Sequence, residues 1–263
     1  MDLTAPALFG GRLARGPRGT DAGRGSVARR RIDNALIVLA AAGFGLWIAM
    51  WVVILVNPGF FGRFYGQDMA VCLEAARRWL GGGGFYHGYQ LSGPYAHPFG
   101  DVLYPPPTLI LFAAFTIIPA PLWWAIPAAL VMFAIGRLRP TPWALAAIVG
   151  CLWWPDTSYV IVWGNPALWV AAALALGTTR PFFAPFAMLK ITLAPAALIN
   201  VRRREWWAGF LVLVAVSLAF LPMWPEYVTA ITNLRVSAPL AYSLSQVPLV
   251  AIPWLAWLGR RRG

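Results

Sequence analysis

Two charged residues stand where they could do chemistry, Asp68 in a polar segment and Lys190 in an apolar run. Asp68 opens a helical pattern that follows a polar stretch. Lys190, the only lysine of the chain, sits in the run PFAMLKITLAP, five positions after Pro185 and five before Pro195. A carboxylate at the mouth of a membrane cavity can take a proton from a hydroxyl as that oxygen attacks, the work of a general base. An ammonium in such a cavity can hold a phosphate as a point charge.

Each residue also has a plainer reading. Aspartate is a favoured N-cap and would accept orphan amide hydrogens at the start of the helix. Asn caps about as well as Asp but is no base, so Asp68→Asn separates the two roles. A lysine at the centre of a lipid-facing helix costs about 2.5–3.5 kcal/mol on insertion scales. Snorkelling relieves that cost near a span end. Lys190 is about ten residues from either end of its run, roughly 15 Å along a helix. Its ammonium is therefore expected in a polar cavity or in a buried structural pair.

Other candidates surround these two. Tyr104-Pro105-Pro106-Pro107 and Gly164-Asn165-Pro166 each lead into an apolar segment. Proline at a first turn, with Asn as N-cap, explains both as rigid helix entries. Tyr104, Asn165 and His97 are also the expected cavity lining. Arg63, Arg77 and Arg78 fall in the outer loop, where most arginines meet lipid headgroups. Arg63 and Arg78 are the ones expected to join Lys190 on a lipid-linked phosphate, because a guanidinium matches phosphate oxygens with two hydrogen bonds. Cys72 and Cys151 show neither metal-ligand spacing nor a disulfide framework, and His87 and His97 lack a zinc context. No metal and no cofactor is expected, although an outer-loop carboxylate such as Asp101 could ligate a divalent ion.

The elements that must position these residues are helical and membrane-embedded. The 263 residues are 60% hydrophobic and only 11% charged, with mean hydropathy +0.65, far from the composition of soluble domains. Apolar stretches recur, which predicts an all-α polytopic membrane protein of about eight hydrophobic helices, some short or re-entrant. The net charge of +12 comes from arginines clustered beside apolar runs, at 29–31, 202–204 and 260–262. That is the positive-inside pattern and excludes a nucleic-acid partner. The excess of arginine over lysine points to a GC-rich bacterial genome.

Residues 1–32 read as a disordered basic cytoplasmic tail and 33–263 as one domain. The first span, 34–56, runs from inside to outside. It is followed by an outer loop, 57–105, that contains an amphipathic interfacial helix at 69–80. Glu74 and Arg78 are four apart on the polar face of that helix, the spacing of an ion pair. Further apolar segments lie at about 106–118, 122–136, 143–154, 166–177, 182–201, 206–224 and 240–258. If every segment crosses, Arg137, Arg139 and Arg180 fall outside, against the charge rule. The preferred alternative gives 106–136 one net crossing and lets 182–201 dip in and return. Lys190 then faces the same side as Asp68, and both termini remain cytoplasmic. The 15 tryptophans are expected mainly as interfacial belts.

The order of features resembles a known family. GQDMAVCLEAARRWLGGGGFY, LYPPP, WGN before an apolar helix, and FAMLKITLAPAAL before RRREWW are together similar to the membrane glycosyltransferases of family 87. These have the C-type glycosyltransferase fold and include actinobacterial polyprenol-phosphate mannosyltransferases. The matching positions are Asp68, Phe85-Tyr86, Tyr104-Pro105-Pro106, Gly164 and Lys190, spread over residues 57–207. Asn165 stands where the family usually has Gln, and the chain is shorter than typical members.

The resemblance implies an enzyme of the bacterial inner membrane with its site on the outer side. A hexose, with mannose a candidate, would pass with inversion from a polyprenyl-phosphate-linked donor to a glycan or glycolipid acceptor. Asp68 would be the base and Lys190 part of the donor site, and membrane lipids are the other expected partners. A binding or transport protein for lipid-linked sugars, or a scaffolding paralogue, would keep the cavity and need no base.

Overall fold

The computed structural model describes residues 21–56, 65–96, 101–235 and 241–261. Among them every regular element is helical, and pairing is confined to the isolated bridges Tyr95–Leu234 and Pro140–Arg260. The α-helices are α1 (Asp21–Val56), α2 (Gln67–Leu80), α3 (Gly88–Ser92), α4 (Leu109–Ala114), α5 (Leu122–Leu138), α6 (Pro142–Leu152), α7 (Pro155–Val162), α8 (Ala167–Thr179), α9 (Arg204–Ala219), α10 (Trp224–Asn233), α11 (Ala241–Leu244) and α12 (Val247–Leu258). Between α8 and α9 run two 3-10 stretches, Pro181–Leu189 and Ile191–Leu198.

Helix α8 is the axis of the molecule. It is apolar all round and rich in alanine, and Ala167, Leu168, Val170, Ala171, Ala172, Leu174 and Ala175 are all buried. A helix without a polar face must be enclosed, and α5, α12 and the first 3-10 stretch enclose this one. Small side chains let those neighbours approach closely.

Helix α1 is the opposite case. Only 6% of its most apolar window is buried, it packs mainly along α6, and Val38, Leu39, Leu46 and Val53 are exposed. It is the one described helix long and apolar enough to cross a membrane by itself (Val27–Val53). Two bent pairs, Pro142–Leu152 with Pro155–Val162 at 63° and Arg204–Ala219 with Leu221–Asn233 at 72°, bring the number to three if each counts as a span. Leu122–Leu138, Ala167–Thr179 and Val247–Leu258 are shorter apolar helices. Proline accounts for much of this segmentation. Pro142, Pro155 and Pro225 lie in the first turns of α6, α7 and α10, where a missing N–H is harmless and the ring stops the preceding turn from continuing.

Two expectations about local structure change. The stretch 21–32 is helical and continuous with the first apolar segment, so the tail expected over 1–32 shortens, and its residues 1–20 lie outside the described residues. No proline interrupts 21–56, and a helix already nucleated by its apolar part extends readily through alanine, valine and arginine. The run 182–201 is not α-helical. Pro185 and Pro195 sit inside its two 3-10 stretches, and Lys190 lies between them in extended backbone (φ −115°, ψ 93°). Proline removes an i→i−4 donor, and a broken backbone is tolerated in apolar surroundings only when packed within protein. The first stretch packs between α8 and α9.

Helix α2 agrees with its amphipathic pattern. Cys72, Leu73 and Ala76 of the expected stripe are buried, with Ala75 beside them, while Leu80 is exposed. The buried side packs on α4.

Candidate active site

Asp68 lies in the first turn of α2, but it is not the cap. The N-cap is Gly66, in left-handed backbone (φ 71°), and no side chain caps this helix. Main-chain carbonyls at the end of α7 satisfy the orphan amides instead. Val162 O accepts from Gly66 N at 2.8 Å, and Trp163 O accepts from Asp68 N at 2.9 Å and Met69 N at 3.3 Å. Four N–H groups at any helix start need such partners. With backbone supplying them, the Asp68 carboxylate faces another task.

That task involves the turn after α7. Asn165 Nδ2 donates to Asp68 Oδ2 at 2.5 Å. Asn165 Oδ1 accepts from Ala167 N at 2.9 Å and from Lys190 Nζ at 3.2 Å. Lys190 Nζ also donates to the Tyr104 hydroxyl at 3.0 Å and lies 4.9 Å from the centre of that ring. One hydrogen-bonded series thus joins α2, the α7–α8 turn, the break between the 3-10 stretches and the Tyr104 segment. Lys190 and Asn165 are buried, 6% and 4% exposed. Asp68 and Tyr104 are half-buried. Cys72, one turn after Asp68 on α2, lies within electrostatic reach of both charges. Burial first, and then the Asp68 carboxylate, push its thiol well above the ordinary value, while the Lys190 ammonium works the other way. It is a packing residue beneath the cluster.

Residues outside the cluster hold it in shape. The turn at Gly164 has φ +66°, and a Cβ there would lie 2.9 Å from the Trp124 ring and 3.1 Å from Met69 Cβ. Trp123 Nε1 donates to Gly164 O and Trp124 Nε1 to Ile161 O, both at 2.7 Å. Gly164→Ala is therefore expected to destabilise the protein by about 1–3 kcal/mol through backbone strain and overpacking, read as a lower midpoint of thermal unfolding in detergent. Tyr104 is fixed from two directions. Tyr86 OH donates to its carbonyl at 2.7 Å, and Phe112 meets its ring edge-on at 5.6 Å. Phe85 packs on the same Phe112 at 6.5 Å.

Several expectations change here. Arg78 turns its guanidinium into the loop after its own helix, donating from Nε to Gly84 O at 2.8 Å and from Nη2 to Phe85 O at 2.7 Å, with Nη1 at 3.3 Å from His87 Nε2. It braces the loop after the helix and does not pair with Glu74. Burial and then the Arg78 charge keep the His87 imidazole below its ordinary pKa, so it stays neutral and accepts. Arg63 and His97 lie outside the described residues. Asp101 is buried and accepts from the Tyr89 hydroxyl. Among the described residues no group of three or more metal-ligating side chains comes together. Some tryptophans expected at the interface are interior hydrogen-bond donors. Trp123 is fully buried, and Trp206 donates to Ala197 O at 2.7 Å.

Among the described residues, cavities lie on either side of α8. One of about 220 Å³ is lined by Tyr104, Lys190, Trp169, Phe183, Phe186 and Leu189 among others, so its wall is apolar apart from the cluster's own residues and Thr108. The other, about 500 Å³, lies between α1 and the faces of α5, α6, α8 and α12, and no titratable group lines it. Chemically, the arrangement offers a carboxylate that can receive a proton and a buried ammonium beside an apolar chamber. A search for relatives finds no matching family model, no matching curated protein and no matching solved structure.

Proposed function

We propose that this chain is an integral-membrane glycosyltransferase that moves a hexose, such as mannose, from a polyprenyl-phosphate-linked donor to a glycan or glycolipid acceptor. One observation carries the reading: the series Asp68–Asn165–Lys190–Tyr104, whose cationic end borders an apolar cavity. A lipid phosphate carries its charge on an apolar chain, and this is the pairing of surfaces such a molecule needs. In the proposed step the acceptor hydroxyl oxygen attacks the anomeric carbon from the face opposite the phosphate, with inversion. The bond from that carbon to the phosphate oxygen breaks, and the phosphate leaves with the electron pair. The hydroxyl proton passes to Asp68. Lys190 meets the charge growing on the leaving phosphate, using the donor left over from its contacts to Tyr104 and Asn165.

In this reading the protein crosses the inner membrane of a bacterium several times, both termini are cytoplasmic, and the site opens on the outer side. Arg78, which spends two of its donors on the loop carbonyls of Gly84 and Phe85, is a secondary member of the phosphate site beside Lys190.

The direct test uses the purified chain in lipid vesicles with polyprenyl-phosphate mannose, polyprenyl-phosphate glucose and a mannosylated glycolipid acceptor. Acceptor-dependent release of free polyprenyl phosphate, matched by sugar gained on the acceptor, is the expected result. Saturable donor binding with no release from either donor would replace this reading with that of a binding or transport protein.

A further inference from the structure

We infer that Asn165 is the positioning residue that keeps Asp68 aimed and ionised and stands in place of a direct ion pair with Lys190, and this deepens the reading given above. The amide is hydrogen-bonded to both charged groups, and its two ends match them. Its N–H end faces the carboxylate at 2.5 Å, and its oxygen faces the ammonium at 3.2 Å and the Ala167 amide at 2.9 Å. Turning the amide over would set N–H groups against two donors and an oxygen against a carboxylate. The network therefore fixes which end points where.

The same turn grips Asp68 by its main chain, through Trp163 O. Backbone and side chain of the carboxylate are thus set by consecutive parts of one turn, Val162–Asn165, which the left-handed Gly164 makes possible. Without a spacer, Lys190 and Asp68 would be drawn into a direct ion pair. The carboxylate would then be a poorer base and the lysine a poorer partner for phosphate. An amide donates to the carboxylate, accepts from the ammonium and is itself uncharged.

The charged and titratable groups facing Asp68 among the described residues are Lys190, across the amide, and Cys72 on its own helix, with Tyr104 beyond the lysine. Hydrogen bonding to the charged form lowers a carboxyl pKa. Replacing the amide by an apolar side chain of similar size keeps the charges apart and removes that donor. Asn165→Leu should therefore raise the Asp68 pKa by about one to two pH units. Asn165→Ser, which still caps Ala167 but is too short to hold the charges apart, should lower it by letting Lys190 reach the carboxylate. Asn165→Gln, with the same two ends, should restore the original value.

The measurement is an infrared pH titration of the full chain in vesicles. The Asp68 carboxyl band is isolated by subtracting the spectrum of Asp68→Asn, and the acid limb of hexose transfer is followed in parallel. An upward shift in Leu and a downward shift in Ser, with the original value in Gln, supports the inference. Equal midpoints in the original chain, Ser and Gln would overturn it and leave Asn165 as a helix cap. The infrared band reads the positioning role even if no sugar is transferred, so absent turnover with a normal shift would sink the glycosyltransferase reading alone.

Discussion

Asp68→Asn is expected to lower hexose transfer by about 10²–10⁴-fold, the usual contribution of a general base, with expression and donor binding unchanged. The structure makes this substitution unusually clean. The first turn of α2 is held by Val162 O and Trp163 O, and its cap, Gly66, uses no side chain. Asn has the same shape, and its oxygen can still accept from Asn165 Nδ2. What disappears is the negative charge near a helix N-terminus, worth about 0.3–1 kcal/mol of stability at most sites, and the ability to take a proton. Thermal unfolding should thus move little while turnover collapses. Glu74→Gln is the matched control, since Glu74 is exposed on the same helix and should leave turnover within about twofold, as expected of a surface change. Transfer retained by Asp68→Asn would remove this carboxylate as the base. Loss of folded protein would mean that its charge is structural.

The parts of the site legible in the sequence were those that defy the local composition. A lysine in an apolar run and an aspartate at the head of an amphipathic stripe both carry a desolvation cost, which makes them conspicuous. Tyr104 and Asn165 were legible as members of short motifs. Main-chain interactions were not legible. Any residue supplies a carbonyl, so nothing at Val162 or Trp163 announces that it caps a helix nearly a hundred positions earlier in the chain. The pairing of Glu74 with Arg78 failed for a related reason. The i, i+4 spacing allows that pair at a few tenths of a kcal/mol, whereas the carbonyls of a glycine-rich turn left Arg78 two main-chain acceptors of its own.

The fold divides along the same line. Helicity followed from recurrent apolar stretches and from the helical stripe over 69–80, and Gly81–Gly84 marked the end of α2. The form of 181–198 depended on where prolines fall relative to tertiary neighbours, and periodicity does not distinguish an α-helix from two 3-10 stretches. Helix α10 was missed although its signal was present. Trp224, Tyr227 and Ala230 recur every third residue, and Tyr227 and Ala230 are buried. That helix receives the Tyr95 hydroxyl on Ala230 O at 3.0 Å and ties down the loop carrying Tyr86. Trp123 shows why composition misleads. A tryptophan N–H needs an acceptor wherever it is buried, and Gly164 O supplies one inside the protein as well as a lipid headgroup would at the interface.

Lys190→Met should weaken donor binding and lower transfer by about 10²–10³-fold or more, the range seen when one group that stabilises a developing oxyanion is removed. Methionine matches the length of the lysine stem and adapts to irregular packing, so the chain should still fold and insert. An apolar residue here also removes a buried charge whose desolvation the fold has to offset. Asn165 Oδ1 keeps the Ala167 amide as a donor when the lysine is gone, so no buried acceptor there is orphaned. Reduced activity with equal or greater expression therefore reports on the ammonium itself. Lys190→Arg should not rescue it, because a planar guanidinium cannot replace a compact ammonium between Tyr104 and Asn165 in a site only 6% exposed. The contrast with Asp68→Asn separates the competing functions. An enzyme loses turnover in both variants but keeps donor binding in Asp68→Asn. A binding or transport protein responds to Lys190→Met alone, since nothing in its task requires the proton to go anywhere.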